Sequence, residues 1–228
     1  MNLLLVRHGE TPWNREGRYQ GRTDIPLSPD GEAQVARLRD RLAAIRIDRA
    51  IASPLSRARR TAEVILAGRL DRVAPEGAPS VGAAPTLELD EGLLEISHGA
   101  WEGKLASEVE RDHAEMFGTW RTAPGRHSPA GPGAETLGDV EARAWRVLDK
   151  LASLGRDQTG LIVAHDAVNR VILCRILGLP LERVWKFRQA PAALNVLEGP
   201  SIDELSVVRL HDSDHSSPLV AGVVHAAL

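Results

Sequence analysis

The sequence is poor in the features that define several classes of protein. It has 228 residues with one cysteine, Cys174, so neither an internal disulfide nor a cysteine metal cluster can form. Its hydrophobic residues form no run long enough to cross a membrane. The formal net charge of -3 gives no global electrostatic reason to expect nucleic acid or an anionic membrane as a partner. Any anion-binding site must therefore be local.

The composition is that of an ordinary globular protein. Hydrophobic residues make up 43% of the chain and charged residues 26%, which suits one domain with a substantial core over residues 1–228. The apolar run Met1 to Val6 is too short for a signal peptide and has no basic leader. We therefore expect a cytoplasmic protein.

Strands and helices are predicted to alternate along the chain. Short apolar or β-branched runs predict strands, namely Leu3 to Val6, Arg49 to Ala52, Thr86 to Leu89, Gly160 to Ala164, Ala193 to Leu197 and Leu205 to Leu210. Amphipathic or capped segments predict helices, which begin at Pro29, run from Ser56 to Gly68, follow Thr136 as far as Leu154, and run from Val168 to Leu177. This order predicts a three-layer α/β/α fold with a mostly parallel central sheet.

Three segments interrupt the regular pattern. Residues 104–135 read as a helix followed by a loop rich in Pro, Gly and His, which we expect to form a small lid or cap over the edge of the sheet. Residues 71–85 read as an irregular surface excursion. The tail, about 212–228, has the composition of a poorly ordered end, although its apolar stretch 219–224 and an edge strand leave a homodimer open.

Histidines follow two of the predicted strands. Arg7 and His8 end the first apolar run, and His165 ends the run from Gly160 to Ala164. Ligands of open α/β sheets bind at the carboxyl ends of the strands, so these side chains are expected at a ligand site. A neutral imidazole can attack phosphorus, and a neighbouring guanidinium can hold two phosphate oxygens. Arg57, in the first turn of the helix after the second strand, is expected to point to the same edge.

The order of these motifs resembles that of the histidine phosphatase superfamily, in its phosphoglycerate mutase-like branch 1. The segments that carry the resemblance cover Leu3 to about Arg170. They are the RHGExxxN signature at 7–14, Gln20-Gly21, the SxLxRAxxTA segment within 53–63, the LxEIxxGxWEG segment ending at Gly103, a PxGES-like stretch at 132–136 and Val163-Ala164-His165.

The resemblance implies a role for each of several residues. His8 is implied as the phosphorylated nucleophile, Glu95 as the proton donor, and Arg7, Arg57 and His165 as the electrostatic phosphate pocket. Substrate contacts are implied for a further set, comprising Asn14, Gln20, Gly21, Asp166 and the lid residues Trp120 and Arg121. Positive side chains take the place of a cation and no clustered metal ligands occur, so we expect no metal and no other cofactor.

Asp166 makes the identity of the acid ambiguous. In branch 1 the second histidine is commonly followed by glycine, whereas Asp166 follows His165 here. A His-Asp pair resembles the distant acid phosphatase branch, in which that aspartate donates the proton, so Asp166 rivals Glu95. The alternative interpretation is that Asp166 caps the following helix. We favour the cap, because the segment around Glu95 is intact.

Departures from the mutase pattern favour hydrolysis. Family mutases place an arginine directly after the donor glutamate and a tyrosine shortly after it, whereas this chain has Ile96, Ser97 and His98. We therefore expect a metal-independent phosphatase that hydrolyses a small-molecule phosphomonoester through phosphohistidine. One alternative is a 2,3-bisphosphoglycerate-dependent phosphoglycerate mutase. The other, a non-catalytic phosphate-binding protein, would require loss of the nucleophile or the acid, and both are present.

Overall fold

A single six-stranded sheet forms the centre of the computed structural model, which describes residues 1–67 and 85–215. The strands are β1 (Asn2–Arg7), β2 (Arg49–Ala52), β3 (Leu87–Leu89), β4 (Thr159–Ala164), β5 (Leu194–Glu198) and β6 (Ser206–Asp212). They lie in the order β3-β2-β4-β1-β5-β6, with β1 to β4 parallel and β5 antiparallel to both of its neighbours. The predicted α/β fold with a mostly parallel sheet is confirmed.

Helices cover both faces of this sheet. They are α1 (Pro12–Glu16), α2 (Pro29–Arg41), α3 (Ser56–Leu66), α4 (Ala106–Asp112), α5 (Ala114–Thr122), α6 (Leu137–Asp149) and α7 (Asp166–Ile176). The predicted N-caps of α2 and α6 are confirmed, since the Ser28 and Thr136 side chains accept hydrogen bonds from backbone N–H groups of the first turn. Within the described part of the chain, no helix is both long and apolar enough to span a membrane.

The alternation of side chains along β1 divides the core into two layers. Leu3 and Leu5 are fully buried in the cluster formed with α6 and α7. Leu4 and Val6 point to the other face and pack with α2 and α3. Because successive strand residues face opposite sides, a strand buried on both faces appears in the sequence as one continuous apolar run.

Several predicted boundaries were wrong. The helix expected to reach Leu154 ends at Asp149 and continues as turns. The single helix expected after Lys104 is two, α4 and α5, because His113 adopts φ -138° and ψ 41°, outside the helical region. The helix from Ser56 ends at Leu66. Residues 68–84, with most of the predicted excursion, and 216–228, with most of the predicted tail, lie outside the described residues.

The pairing of β1 with β4 brings the two predicted histidine positions together. Arg7 is in register with Ala164, and the backbone N–H of His8 donates to the Ala164 carbonyl at 3.0 Å. The two chains therefore leave the sheet side by side, and His8 and His165 both emerge at the carboxyl edge.

The start of α2 holds the loop that follows His8. The Ser28 N–H donates to the Glu10 carbonyl at 2.8 Å, and the helix packs so closely that a Cβ added at Gly31 would lie 2.1 Å from that carbonyl oxygen. Only a residue without a side chain fits this contact, because a carbonyl oxygen of the backbone cannot move aside cheaply.

Gly31→Ala should therefore destabilise the protein by about 1–3 kcal/mol, the usual range for overpacking a tight contact. Gly118→Ala in α5 is the matched control, since nothing lies within 4 Å of the added Cβ, and alanine favours the helix by about 0.5–1 kcal/mol. Free energies of unfolding from denaturant titrations measure both effects. Equal stability of the two variants would contradict the packing described here.

Candidate active site

A pocket opens at the carboxyl edge of the sheet, and we call it the cavity. Nine of its lining residues present polar or charged side chains, and Gly21 contributes backbone. The lining consists of Arg7, His8, Asn14, Arg18, Gln20, Gly21, Arg57, Glu95, His98 and Asp166. The fold thus brings together residues that were predicted from separate segments of the sequence. They include Arg7, His8, Arg57 and Glu95.

His8 is held as a neutral imidazole with one nitrogen free. Its Nδ1 lies 2.7 Å from the Gly9 carbonyl oxygen, which can only accept, so Nδ1 carries the proton and Nε2 keeps its lone pair. Burial, followed by the charges of Arg57 and Arg7, lowers the pKa of His8 well below its ordinary value. A neutral ring with an unprotonated Nε2 is the form that can attack an electrophile.

His165 stands opposite His8 at the start of α7. The two ring centroids are 5.1 Å apart, and His165 is fully buried. Neither of its ring nitrogens has a hydrogen-bond partner within residues 1–67 and 85–215. Burial and the charge of Arg57 lower the pKa of His165 well below its ordinary value, so its ring is neutral and can donate one N–H bond to a ligand.

Arg7 forms a buried ion-pair network with Asp166 and Arg170. Its Nη1 lies 3.2 Å from Asp166 Oδ1, and Nε of Arg170 lies 2.9 Å from Asp166 Oδ2. Arg7 also donates to the Gln189 carbonyl. All three charged side chains are at most 5% exposed. A carboxylate shared by two guanidinium groups is held in place at both of its oxygens, and it fixes both arginines in turn.

The interpretation of Asp166 as a helix cap was wrong. Asp166 is the first residue of α7, and the preceding His165 occupies the N-cap position without a capping side-chain bond. The Asp166 carboxylate turns instead to Arg7 and Arg170, which form charge-assisted hydrogen bonds with its two oxygens.

Arg57 is buried beneath the loop that follows α1. It donates from Nη2 to the Gly21 carbonyl at 2.8 Å and from Nη1 to the Thr23 carbonyl at 2.9 Å. Burial lowers the pKa of Arg57 to about 10, so the side chain remains a cation at neutral pH. The prediction that Arg59 and Arg60 are solvated is confirmed, since both are exposed.

Glu95 lines the cavity, and two backbone N–H groups orient its carboxyl group. The Ile96 N–H donates to Oε1 at 2.9 Å, and the Asp166 N–H donates to Oε2 at 3.1 Å. Burial, followed by the nearby charge of Asp166, raises the pKa of Glu95. The raised pKa lets this carboxyl group hold a proton at a higher pH than an exposed glutamate does.

Asn14 and Gln20 offer amide N–H groups to the cavity. The Oδ1 of Asn14 accepts from the Thr11 N–H at 3.0 Å, and the Thr11 hydroxyl lies 2.9 Å from Gln20 Oε1. Both amide oxygens are engaged by Thr11, and the NH₂ groups of these two cavity-lining side chains donate to no residue in the described ranges.

The two lid residues predicted as substrate contacts, Trp120 and Arg121, do not line this cavity. Trp120 is 1% exposed and packs edge-on against His98 at 5.7 Å and against Trp185 at 5.2 Å, measured between ring centroids. Its large apolar ring is buried in the core and packs against the cavity-lining His98. It therefore stabilises the cavity wall and does not contact a ligand directly.

Two cavity residues were not singled out as site residues from the sequence. His98 sits with Nδ1 2.9 Å from the Ala130 carbonyl oxygen, and burial lowers its pKa to about 4. Arg18 follows α1 and donates to the Gly103 carbonyl at 2.8 Å. Neither residue is part of an apolar periodicity or ends a strand, so only the folded loops reveal where they lie.

The depressed pKa of His98 makes stability depend on pH with a definite sign. The unfolded chain protonates this residue near pH 6.5 and the folded protein near pH 4, so stability is lost as pH falls through that interval. His98→Asn keeps a donor for Ala130 and removes the titration. The free energy of unfolding of the variant should therefore fall less steeply between pH 6.5 and 4, by about 1.4 kcal/mol per pH unit. Parallel curves would contradict the assignment.

Comparison with known proteins gives consistent matches over most of the chain. Residues 3–212 match the profile of the histidine phosphatase superfamily (branch 1). Phosphoserine phosphatase 1 of Hydrogenobacter thermophilus is 32% identical over 199 residues, covering 86% of each chain. A protein named probable phosphoglycerate mutase GpmB, from Erwinia tasmaniensis, is 32% identical over 190 residues, covering 82% of this chain and 80% of that protein.

A solved structure shows the same fold. YhfR of Bacillus stearothermophilus superposes with a TM-score of 0.81 at 30% sequence identity, covering 95% of this chain and 99% of that one. The similarity therefore extends over nearly the whole of both chains.

Proposed function

Since the chain belongs to the histidine phosphatase superfamily, branch 1, we propose that it hydrolyses a small-molecule phosphomonoester through a phosphohistidine intermediate on His8. The observation that carries this proposal is the state of His8, which is a buried neutral imidazole with Nε2 free, beside Arg7 and Arg57. A nucleophile next to two cations suits an anionic electrophile such as a phosphate group.

In the first step, Nε2 of His8 forms a bond to phosphorus while the bond from phosphorus to the ester oxygen breaks. Arg7, Arg57 and His165 donate to the other phosphoryl oxygens and stabilise the charge that spreads over them. Glu95 gives its proton to the departing oxygen, so the product leaves as an alcohol rather than as an alkoxide. The enzyme retains the phosphoryl group on His8.

In the second step, water replaces the alcohol. The Glu95 carboxylate takes one proton from the water as its oxygen attacks phosphorus, and the bond between phosphorus and Nε2 breaks. Inorganic phosphate leaves, and both His8 and Glu95 return to their starting protonation states. Two cationic side chains neutralise the phosphate charge throughout.

The contacts of Asp166 support Glu95 as the acid. Both oxygens of Asp166 are engaged by guanidinium groups, so this carboxylate is held by Arg7 and Arg170. Within the described residues Glu95 forms no ion pair, and its pKa is raised by burial. A carboxyl group whose pKa is raised by its surroundings is suited to donate a proton.

The positions after Glu95 support hydrolysis over mutase transfer. Ile96 is fully buried in the core, and Ser97 donates its N–H to Glu135 at 3.0 Å. Neither supplies the cation that family mutases carry beside the donor. A pocket that holds the departing alcohol less firmly lets it exchange for water before a second phosphoryl transfer.

The segment 104–135 is proposed as the lid of this pocket. Its first residue, Lys104, accepts from the Tyr19 N–H at 3.0 Å, and Trp120 packs against His98 in the wall. These contacts would let the segment exclude water from the far side of the substrate while the phosphate end stays fixed to the sheet.

The phosphohistidine intermediate can be trapped and located. After acid-free quenching during turnover, intact mass should show one added phosphoryl group in the wild type and none in His8→Ala. The variant should lose activity by about 10³-fold or more, since no other nucleophile replaces the imidazole. Arg59→Gln, an exposed residue paired with Glu63, is the matched control and should keep wild-type turnover. Full activity of His8→Ala would refute the proposal.

The leaving group distinguishes Glu95 from Asp166 as the acid. With an alkyl phosphate, Glu95→Gln should lower kcat by about 10²- to 10⁴-fold, because an alkoxide must be protonated as it departs. With nitrophenyl phosphate no proton is needed, so the same variant should release a burst of nitrophenol and then accumulate phosphoenzyme. Asp166→Asn should slow both substrates alike. A leaving-group dependence confined to Asp166→Asn would reverse the assignment.

The same assays test the mutase alternative. With a 2,3-bisphosphoglycerate primer present, 3-phosphoglycerate should yield no 2-phosphoglycerate, and release of inorganic phosphate should not depend on the primer. Primer-dependent isomerisation without hydrolysis would favour the mutase.

A further inference from the structure

Arg18 differs from the other arginines of the cavity in exposure. The side chain of Arg7 is 3% exposed and Arg57 is fully buried, whereas the side chain of Arg18 is 32% exposed. Arg7 and Arg57 therefore lie at the closed end with His8, and Arg18 lies at the mouth. A substrate whose phosphate is held at His8 extends toward the mouth with the rest of its structure.

Arg18 is anchored but retains binding capacity. Its Nη1 donates to the Gly103 carbonyl at 2.8 Å, and its Nε pairs with Glu16 at 2.5 Å. The remaining terminal nitrogen, Nη2, makes no hydrogen bond to any residue in 1–67 or 85–215. The anchor at Gly103 fixes the plane of the guanidinium group, so an incoming anion would meet an oriented donor.

The pairing of Arg18 with Glu16 is easily exchanged. The Glu16 side chain is 47% exposed, and an ion pair of this exposure contributes little because both charges remain solvated. A substrate anion fixed in the cavity by its phosphate can displace Glu16, because the second contact is then intramolecular and costs little further entropy.

Two amide side chains line the same cavity as Arg18. The NH₂ groups of Asn14 and Gln20 donate to no residue in 1–67 or 85–215, so the cavity wall carries neutral donors as well as its arginines. Donors without matching acceptors favour an oxygen-rich ligand, and desolvating them against an apolar group would leave them unpaired.

We propose that Arg18 binds a second anionic group of the substrate, so that the enzyme selects small, hydrophilic phosphomonoesters that carry a carboxylate or a further phosphate. This inference rests on the proposed phosphatase function. Arg18 is then the residue that determines specificity, while His8, Arg7 and Arg57 act on every phosphomonoester that enters.

Matched substrate pairs test the role of Arg18. Phosphoserine and phosphoethanolamine differ only in a carboxylate, and propane-1,3-diol bisphosphate and its monophosphate differ only in a phosphate. In the wild type, kcat/KM should be higher for the more anionic member of at least one pair, and which pair responds identifies the anion. Arg18→Gln should lower that selectivity ratio by about 10- to 100-fold, the effect of one lost charge-assisted bond.

A second variant changes the same ratio in the opposite direction. Glu16→Gln removes the competing carboxylate and leaves Arg18 in place, so selectivity for the anionic member should rise by about two- to fivefold. Added salt should reduce the wild-type ratio, because Arg18 is partly exposed to solvent. Thermal melting of both variants verifies that they are folded.

Two outcomes would overturn the proposal. One is an equal change of kcat/KM for both members of every pair in Arg18→Gln, which would mean that Arg18 only holds the Gly103 loop. The other is a wild type that shows no preference for the anionic member of either pair. In both cases the phosphomonoesters are still hydrolysed, whereas failure of the phosphatase function itself would leave every substrate intact.

Discussion

The site depends on burying positive charge next to imidazoles that must stay neutral. Arg7 and Arg57 are both removed from water, and each is held by backbone carbonyl groups that accept its N–H bonds. Within residues 1–67 and 85–215, Arg7 is the one of the two that forms an ion pair with a carboxylate, and that carboxylate is shared with Arg170. The cluster of Arg7, Arg57, Asp166 and Arg170 therefore keeps a positive excess, and an arriving phosphate supplies the missing negative charge.

Burial is the main determinant of the protonation of the remaining groups, and the arginine charges modify its effect. Desolvation is the largest cause of the lowered pKa of His8 and His165, and the neighbouring arginine charges act in the same direction. The pKa of Glu95 is raised instead. Burial favours the neutral carboxylic acid more than the arginine charges favour the carboxylate. One environment thus favours the neutral form of both the nucleophile and the acid, although the two groups ionise in opposite senses.

The sequence was sufficient to predict the fold class and the meeting of distant motifs, because these follow from local patterns. Apolar runs buried on both faces located β1, β2 and β4, and parallel pairing placed the ends that carry His8 and His165 together. The partner of Asp166 could not be predicted in this way. Arg170 lies one turn further along α7, and whether a carboxylate caps its own helix or pairs with a cation depends on what the fold packs against it. Trp120 was predicted to contact the substrate, whereas its ring packs against His98 and Trp185, which are distant in sequence and are brought to it by the fold.

The segment that precedes the antiparallel strand β5 supplies a contact to Arg7 from late in the sequence. Because β5 runs antiparallel to β1, the segment that leads into it reaches the carboxyl edge and provides the Gln189 carbonyl that holds Arg7, 182 residues away along the chain. All the residues proposed for chemistry, from Arg7 to His165, are synthesised before Gln189. During synthesis Arg7 can therefore gain its contact with the Gln189 carbonyl only after every residue proposed for chemistry has been added to the chain.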